Sequence, residues 1–254
     1  MRFSANLGFL WTELPLPTRI LAAHAAGFDA VECHFPYDTP TAEVVQALTQ
    51  TGLPMLALNT RPGNPHKGEF GLSALPGRKH EARAAIDEAL AYAVAISARA
   101  VHVMAGRDGD EGCFRDALRY ACAQADAEGL TILIEPLNAF DVPGYVLQNT
   151  AQAAEIIQDL NLPNLKMMFD CYHVARTEGD VLAQFNKVLP MVGHVQFAGV
   201  PNRAEPDQGT VDFGTLLPAL SAAGWDRPFG AEYRPSGLTD ASLRWMTALH
   251  QRRS

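Results

Sequence analysis

With 254 residues, 48% of them hydrophobic and 19% charged, the chain has the composition of a globular protein that buries a sizeable core, which excludes disorder. Its length suits one α/β barrel of about 250 residues, spanning 1–254, better than two small domains. Acidic residues outnumber basic ones 28 to 20, which speaks against a surface built to follow a nucleic-acid backbone, and no window reaches the roughly 20 apolar residues of a membrane-spanning helix.

In chain order, short β-rich runs recur at Arg2 to Leu7, Phe28 to His34, Pro54 to Thr60, Ala100 to Gly106, Leu130 to Leu137, Leu165 to His173, Val192 to Ala198 and Pro228 to Arg234. The opening run follows Met1 without a charged and apolar leader, so a cytoplasmic protein is expected. Between the runs lie Ala- and Leu-rich stretches with helical spacing, such as Glu81 to Ile96 and Cys113 to Glu128, long enough to cross back over a parallel sheet. Glycines mark the expected helix ends at Gly27, Gly52, Gly129 and Gly224, and Thr39-Pro40 reads as an N-cap followed by proline at N1. Thr131 to Ile134 is apolar on both faces, as a strand between a core and a helix layer must be. Eight βα units predict a closed (β/α)₈ barrel over a doubly wound sheet. Two long stretches, Arg61 to Pro76 and Gly199 to Gln208, follow strands and therefore fall on the face where barrel enzymes place their sites. Cys33, Cys113, Cys122 and Cys171 lack metal-knuckle spacing and are expected as reduced thiols.

Polar side chains interrupt the last four strands at their C-terminal ends: Glu135, Asp170, Gln196 and Glu232. Neighbouring strands lie about 4.8 Å apart, so groups at similar heights converge on one point. A carboxylate at the end of an apolar strand carries a desolvation cost that a shared cation offsets. Any one of these residues alone would be read as binding loop backbone or an arginine. Four oxygen ligands at the same end of four consecutive strands predict one divalent metal ion instead. Three carboxylates and an amide oxygen are hard ligands suited to Mg²⁺ or Mn²⁺, with cobalt, nickel and zinc left open.

The motifs Ile134-Glu135-Pro136-Leu137-Asn138, Asp141 to Tyr145, Phe169-Asp170-Cys171-Tyr172-His173, Gly193-His194-Val195-Gln196, Asn202-Arg203 with Glu205-Pro206, and Gly230 to Pro235 together resemble the hydroxypyruvate isomerase family. So do Phe3 to Leu7, Phe35 to Asp38 and Leu243-Arg244-Trp245, so that the likeness covers nearly the whole chain. It implies a xylose-isomerase-like barrel, with Glu135, Asp170, Gln196 and Glu232 as metal ligands and the two glutamates also moving protons. Leu58 and Arg107 stand where the resemblance implies a histidine and a lysine.

For isomerisation of a hydroxy-carbonyl substrate, one group removes a proton beside the carbonyl and another returns one to the adjacent carbon, which predicts Glu135 and Glu232 as catalytic pair. Hydroxypyruvate and tartronate semialdehyde also carry a carboxylate. Arg203 is the first choice to receive it, ahead of Arg61, Arg107 and Arg234, because a guanidinium fork matches a carboxylate. The resemblance to related epimerases implies that His173 contacts a substrate oxygen, and His194, two residues before Gln196 on the same strand face, is expected to orient the site from one layer below. His102, Glu32, Tyr145, Tyr172 and Trp245 are read as structural. Isomerisation of a four-carbon 2-oxo acid (2-oxotetronate) and 3-epimerisation of a ketose fit the same residues. A sugar-acid binding protein is the non-enzymatic alternative. No GxGxxG turn follows the first strand, so no dinucleotide is expected, and the partners are a small hydroxy-carbonyl acid or sugar, with self-association into a homo-oligomer left open.

Overall fold

The computed structural model describes residues 1–251. Eight strands alternate with helices: β1 (Phe3–Asn6), α1 (Leu16–Ala25), β2 (Ala30–Glu32), α2 (Thr41–Thr51), β3 (Ala57–Asn59), α3 (Lys79–Ala95), β4 (Ala100–His102), α4 (Glu111–Asp126), β5 (Thr131–Ile134) and α5 (Thr150–Leu160). The second half runs through β6 (Leu165–Asp170), α6 (Cys171–Thr177), α7 (Val181–Val188), β7 (Val192–Phe197), α8 (Phe213–Ala222), β8 (Phe229–Ala231), α9 (Thr239–Ser242) and α10 (Arg244–Gln251). All pairings are parallel, in the order β2-β1-β8-β7-β6-β5-β4-β3. A parallel bridge between Val31 and Met55, with Val31 N donating to Pro54 O, Leu56 N to Val31 O, Cys33 N to Ala57 O and Asn59 N to His34 O at 2.8 to 3.1 Å, joins β2 to β3 and closes the barrel.

The expected strands are all present but shorter than the apolar runs, because hydrogen-bonded pairing stops where the chain turns into the mouth loops. The sixth differs most. Its pairing ends at Asp170, whose carboxylate accepts from Tyr172 N at 2.8 Å and caps α6, so Cys171, Tyr172 and His173 begin a helix and do not extend the strand. The second helix also departs from expectation: it begins at Thr41 after Pro40, and Thr39 makes no side-chain cap. Asp110, Asn149, Asp180 and Asp212 do cap the helices that follow them. Gly27, Gly52, Gly129 and Gly224 all have positive φ at the ends of helices, as the sequence predicts.

Packing between the barrel and its helices is apolar. Trp245 on α10 is 1% exposed and meets Phe3 and Phe197 edge-on at 5.2 and 5.4 Å, which ties the last helix to β1 and β7. All four cysteines are free thiols, and Cys33, Cys122 and Cys171 are buried. No helix among the described residues is long and apolar enough to cross a membrane.

Candidate active site

At the C-terminal mouth of the barrel lies a cavity of about 390 Å³ whose lining includes Glu135, His173, Arg203, Glu232, His102 and Arg107. Glu135 stands one residue past β5 and Glu232 one past β8; Asp170 ends β6 and pairs in register with Gln196 on β7. All four are buried, between 1% and 6% exposed, at the end of the strands that carry them. Glu135, Asp170 and His173 present ligand atoms that all lie within 4.8 Å of one another.

Glu232 is drawn away from that group by three donors: Arg203 at 2.6 Å, His34 Nε2 at 2.9 Å and Asn6 Nδ2 at 3.0 Å. The same Arg203 guanidinium reaches Asp170 Oδ2 at 3.2 Å and so lies between two carboxylates. Its backbone makes that possible. Arg203 adopts a left-handed φ of 54°, its carbonyl accepts from Arg234 N at 2.7 Å, and neighbouring Glu205 accepts from the backbone and hydroxyl of Ser236 at 2.8 and 2.7 Å. The loop after β7 is thereby stitched to the loop after β8, and Arg203 is folded inward over the mouth. The expected arginine for a substrate carboxylate is thus already engaged with the protein's own acids. Arg107, beside the isolated bridge to Tyr145, has its Nε buried without a partner.

The electrostatics separate the two glutamates. Burial, then the charges of Glu232 and Asp170, push the Glu135 carboxyl well above the ordinary carboxylate range. Burial also pushes Glu232 upward, but Arg203 and the hydrogen bond from His34 outweigh it and hold the group at about 2. Asp170 is raised to about 7, chiefly by burial, with Arg203 opposing. The two glutamates are thus shifted in opposite directions, and both line the cavity.

His173 is neutral, because burial and then the charge of Arg203 drive its pKa well below the ordinary imidazole value. Its Nδ1 accepts from the Asn138 backbone N–H at 3.0 Å, with Asn138 Nδ2 at 2.7 Å, so the ring proton resides on Nε2. That N–H has no hydrogen-bond partner and sits 3.6 Å from Asp170 and 3.8 Å from Glu135. A protonated Nε2 donates to oxygen and offers no lone pair to a cation, so His173 is the donor of the group and the carboxylates are its ligands.

A divalent cation suits the remaining donors. Gln196 Oε1 is a buried acceptor without a partner at the height of Asp170, and the paired amide Nε2 is occupied by Glu32 at 3.3 Å. An unpartnered amide oxygen beside crowded, desolvated carboxylates is what a hard cation neutralises.

A family model described as xylose isomerase-like TIM barrel matches residues 20–249. The chain belongs to that family. Within it, this xylose isomerase-like barrel is 41% identical to a 2-oxo-tetronate isomerase of Cupriavidus necator, over 96% of this chain and 97% of that protein. It is 34% identical to the hydroxypyruvate isomerase of Escherichia coli, over 97% and 98% of the two chains. Among solved structures it is similar to one titled AP endonuclease, family 2, from Brucella melitensis, with a TM-score of 0.93, 36% identity, and 97% and 98% of the chains covered.

Two site residues of this xylose isomerase-like barrel escape sequence reasoning. His34 lies past β2, 20% exposed, and touches Glu232 from the far side of the chain; the signal that could have found it is Gly8, whose hydrogen leaves the space that the His34 ring fills, 2.2 Å from where a Cβ would stand. His102, expected to be structural, lines the cavity with neither ring nitrogen hydrogen-bonded, its Nδ1 3.6 Å from Glu135 Oε2. His194, two residues before Gln196, meets Glu32 with its Nε2 at 2.6 Å.

Proposed function

We propose that this chain is a metal-dependent isomerase that interconverts hydroxypyruvate and 2-hydroxy-3-oxopropanoate (tartronate semialdehyde). The observation that carries the reading is the buried pair Glu135 and Glu232, which line one cavity in contrasting surroundings, Glu232 held by Arg203, His34 and Asn6 and Glu135 crowded by other carboxylates. Exchange of a ketone and an aldehyde between adjacent carbons needs a base and an acid together, and two carboxyls in contrasting surroundings supply both.

Glu232 takes the proton from the hydroxymethyl carbon beside the substrate carbonyl to leave a cis-enediolate, the hydroxyl proton passes to the neighbouring oxygen, and Glu135 delivers a proton to the former carbonyl carbon, so that the terminal oxygen becomes the aldehyde. A carboxylate held at about 2 is a weak base, so Glu232 gains basicity when Arg203 shares its charge with the substrate carboxylate. Arg107, with its unpartnered Nε in the cavity wall, supplies the second cationic contact for that carboxylate. His173 donates its Nε2–H to a substrate oxygen. Glu135, Asp170, Gln196 and Glu232 would hold one divalent ion, and their oxygen donors favour Mg²⁺ or Mn²⁺. When bound, that ion supplies Lewis acidity at the carbonyl and neutralises the gathered carboxylates.

A second reading, isomerisation of a four-carbon 2-oxo acid, is favoured by the 41% identity to a 2-oxo-tetronate isomerase. Proton exchange in D₂O, followed by NMR with Mg²⁺- or Mn²⁺-loaded and chelator-treated protein, decides between them. Deuterium entering hydroxypyruvate as tartronate semialdehyde appears is the expected result, lost on chelation. Glu135→Gln or Glu232→Gln should slow it by roughly 10²- to 10⁴-fold. Exchange only with the four-carbon acid moves the substrate, and full turnover by either glutamine variant overturns the acid–base assignment.

A further inference from the structure

One layer below the mouth, inside the barrel, Glu32 is 1% exposed and receives three donors: His194 Nε2 at 2.6 Å, Ser4 Oγ at 3.3 Å and Gln196 Nε2 at 3.3 Å. The reaction described above uses none of Glu32, His194 and Ser4. A carboxylate surrounded by donors has only acceptor oxygens to offer, and a carboxamide facing it turns its NH₂ inward. The other end of the Gln196 amide, Oε1, is then left facing away from Glu32, buried and without a partner. Room for the cluster comes from β8. A Cβ on Gly230 would stand 2.3 Å from Glu32 Oε1, 2.9 Å from His194 Nε2 and 2.9 Å from Gln196 Cγ, so the bare backbone at this position admits all three side chains.

We infer that Glu32 is a positioning residue that locks the Gln196 carboxamide with its oxygen toward the mouth, and that Gly230 is the steric condition for this lock. The inference rests on the proposed role of Gln196 as a ligand of a divalent cation. Without the lock the amide would present NH₂ or oxygen to the site with little preference, and a metal ion accepts only the oxygen. Removing a group that orients a metal ligand typically lowers metal affinity by about 10- to 100-fold.

The test is calorimetric titration of the chelator-treated protein with MnCl₂, with thermal unfolding of the metal-free protein measured alongside. Glu32→Gln keeps the shape and lets the amide turn; it should weaken Mn²⁺ binding about 10-fold or more. The exchanged pair Glu32→Gln/Gln196→Glu restores one carboxylate and one amide in contact, and both outer oxygens of residue 196 are acceptors whichever way it turns. Because Gln196→Glu also adds a carboxylate at the ion, recovery in this pair at unchanged metal-free stability marks orientation as the cause when Gln196→Glu alone does not raise Mn²⁺ affinity above wild type, and a rise there overturns that attribution. Gly230→Ala should weaken binding in the same way, and the exchanged pair does not rescue it. Unaltered Mn²⁺ affinity in Glu32→Gln, with loss of affinity in Gln196→Ala, overturns the lock and leaves the metal site standing. Unaltered affinity in Gln196→Ala overturns the ligand role and the lock together.

Discussion

Single side chains at the mouth are held in states that water would not favour, and His102 shows the cost most plainly. Burial lowers its pKa from 6.5 to about 4, against a small opposing pull from Glu232. The folded protein therefore keeps the ring neutral, while the unfolded chain takes up the proton at higher pH. A folded-state pKa below the unfolded one contributes stability that is present above about 6.5 and is lost as pH falls towards 4. Metal-free wild type should accordingly lose on the order of 3 kcal/mol over that window from this group, and His102→Asn should show a shallower acid limb in pH-dependent denaturant unfolding. Identical slopes would mean that the ring is protonated in the fold. At this scale the sequence was legible where a polar residue interrupts an apolar strand, as at Glu135, Asp170, Gln196 and Glu232. It was silent at His34, because contact with Glu232 is made across 198 positions of chain and no local pattern marks it.

Elements position the site through their ends. Asp170 closes β6, caps α6 and belongs to the acidic group at the mouth, so one carboxyl serves a strand, a helix and the chemistry. The three-residue step from Asp170 to His173 is one helical turn, which is why a cap at Asp170 brings the imidazole onto the same side. Asp170→Asn keeps an acceptor for Tyr172 N and removes the charge; Asp170→Ala removes both. Both variants should lose Mn²⁺ affinity, but only the alanine variant should lose the cap, unfolding about 1 kcal/mol below the asparagine variant in metal-free denaturant titrations. Equal stabilities would show that the cap contributes nothing. The run through His173 reads as strand in the sequence because Phe169, Cys171, Tyr172 and Val174 are apolar whichever geometry they take. Only the capping aspartate betrays the switch of period. Arg203 illustrates the converse: its loop placed it at the mouth from sequence alone, but its partners follow from a left-handed backbone turn that an arginine does not advertise.

The whole barrel was the most legible level, since eight repeats of strand and helix leave few closed topologies, and the family match agrees with it. What repetition does not reveal is that the wall is uneven. β6 and β7 each have six residues, whereas β2 and β3 have three, and the seam between them is held by an isolated bridge and the backbone hydrogen bonds around it rather than by a regular ladder. Short strands open more locally than long ones, so amides of β2 and β3 should exchange with solvent faster than those of β6 and β7 in the metal-free protein. Uniform protection around the ring would contradict this. Glu32 sits on the thin side, yet its carboxylate bonds to His194 and Gln196 on the thick side. It acts as a strut across the bore. Whatever fixes Gln196 at the mouth also braces the short-stranded seam of the cylinder, so ligand occupancy and the breathing of the opposite wall become one equilibrium, and exchange at β2 should slow when the ion is added.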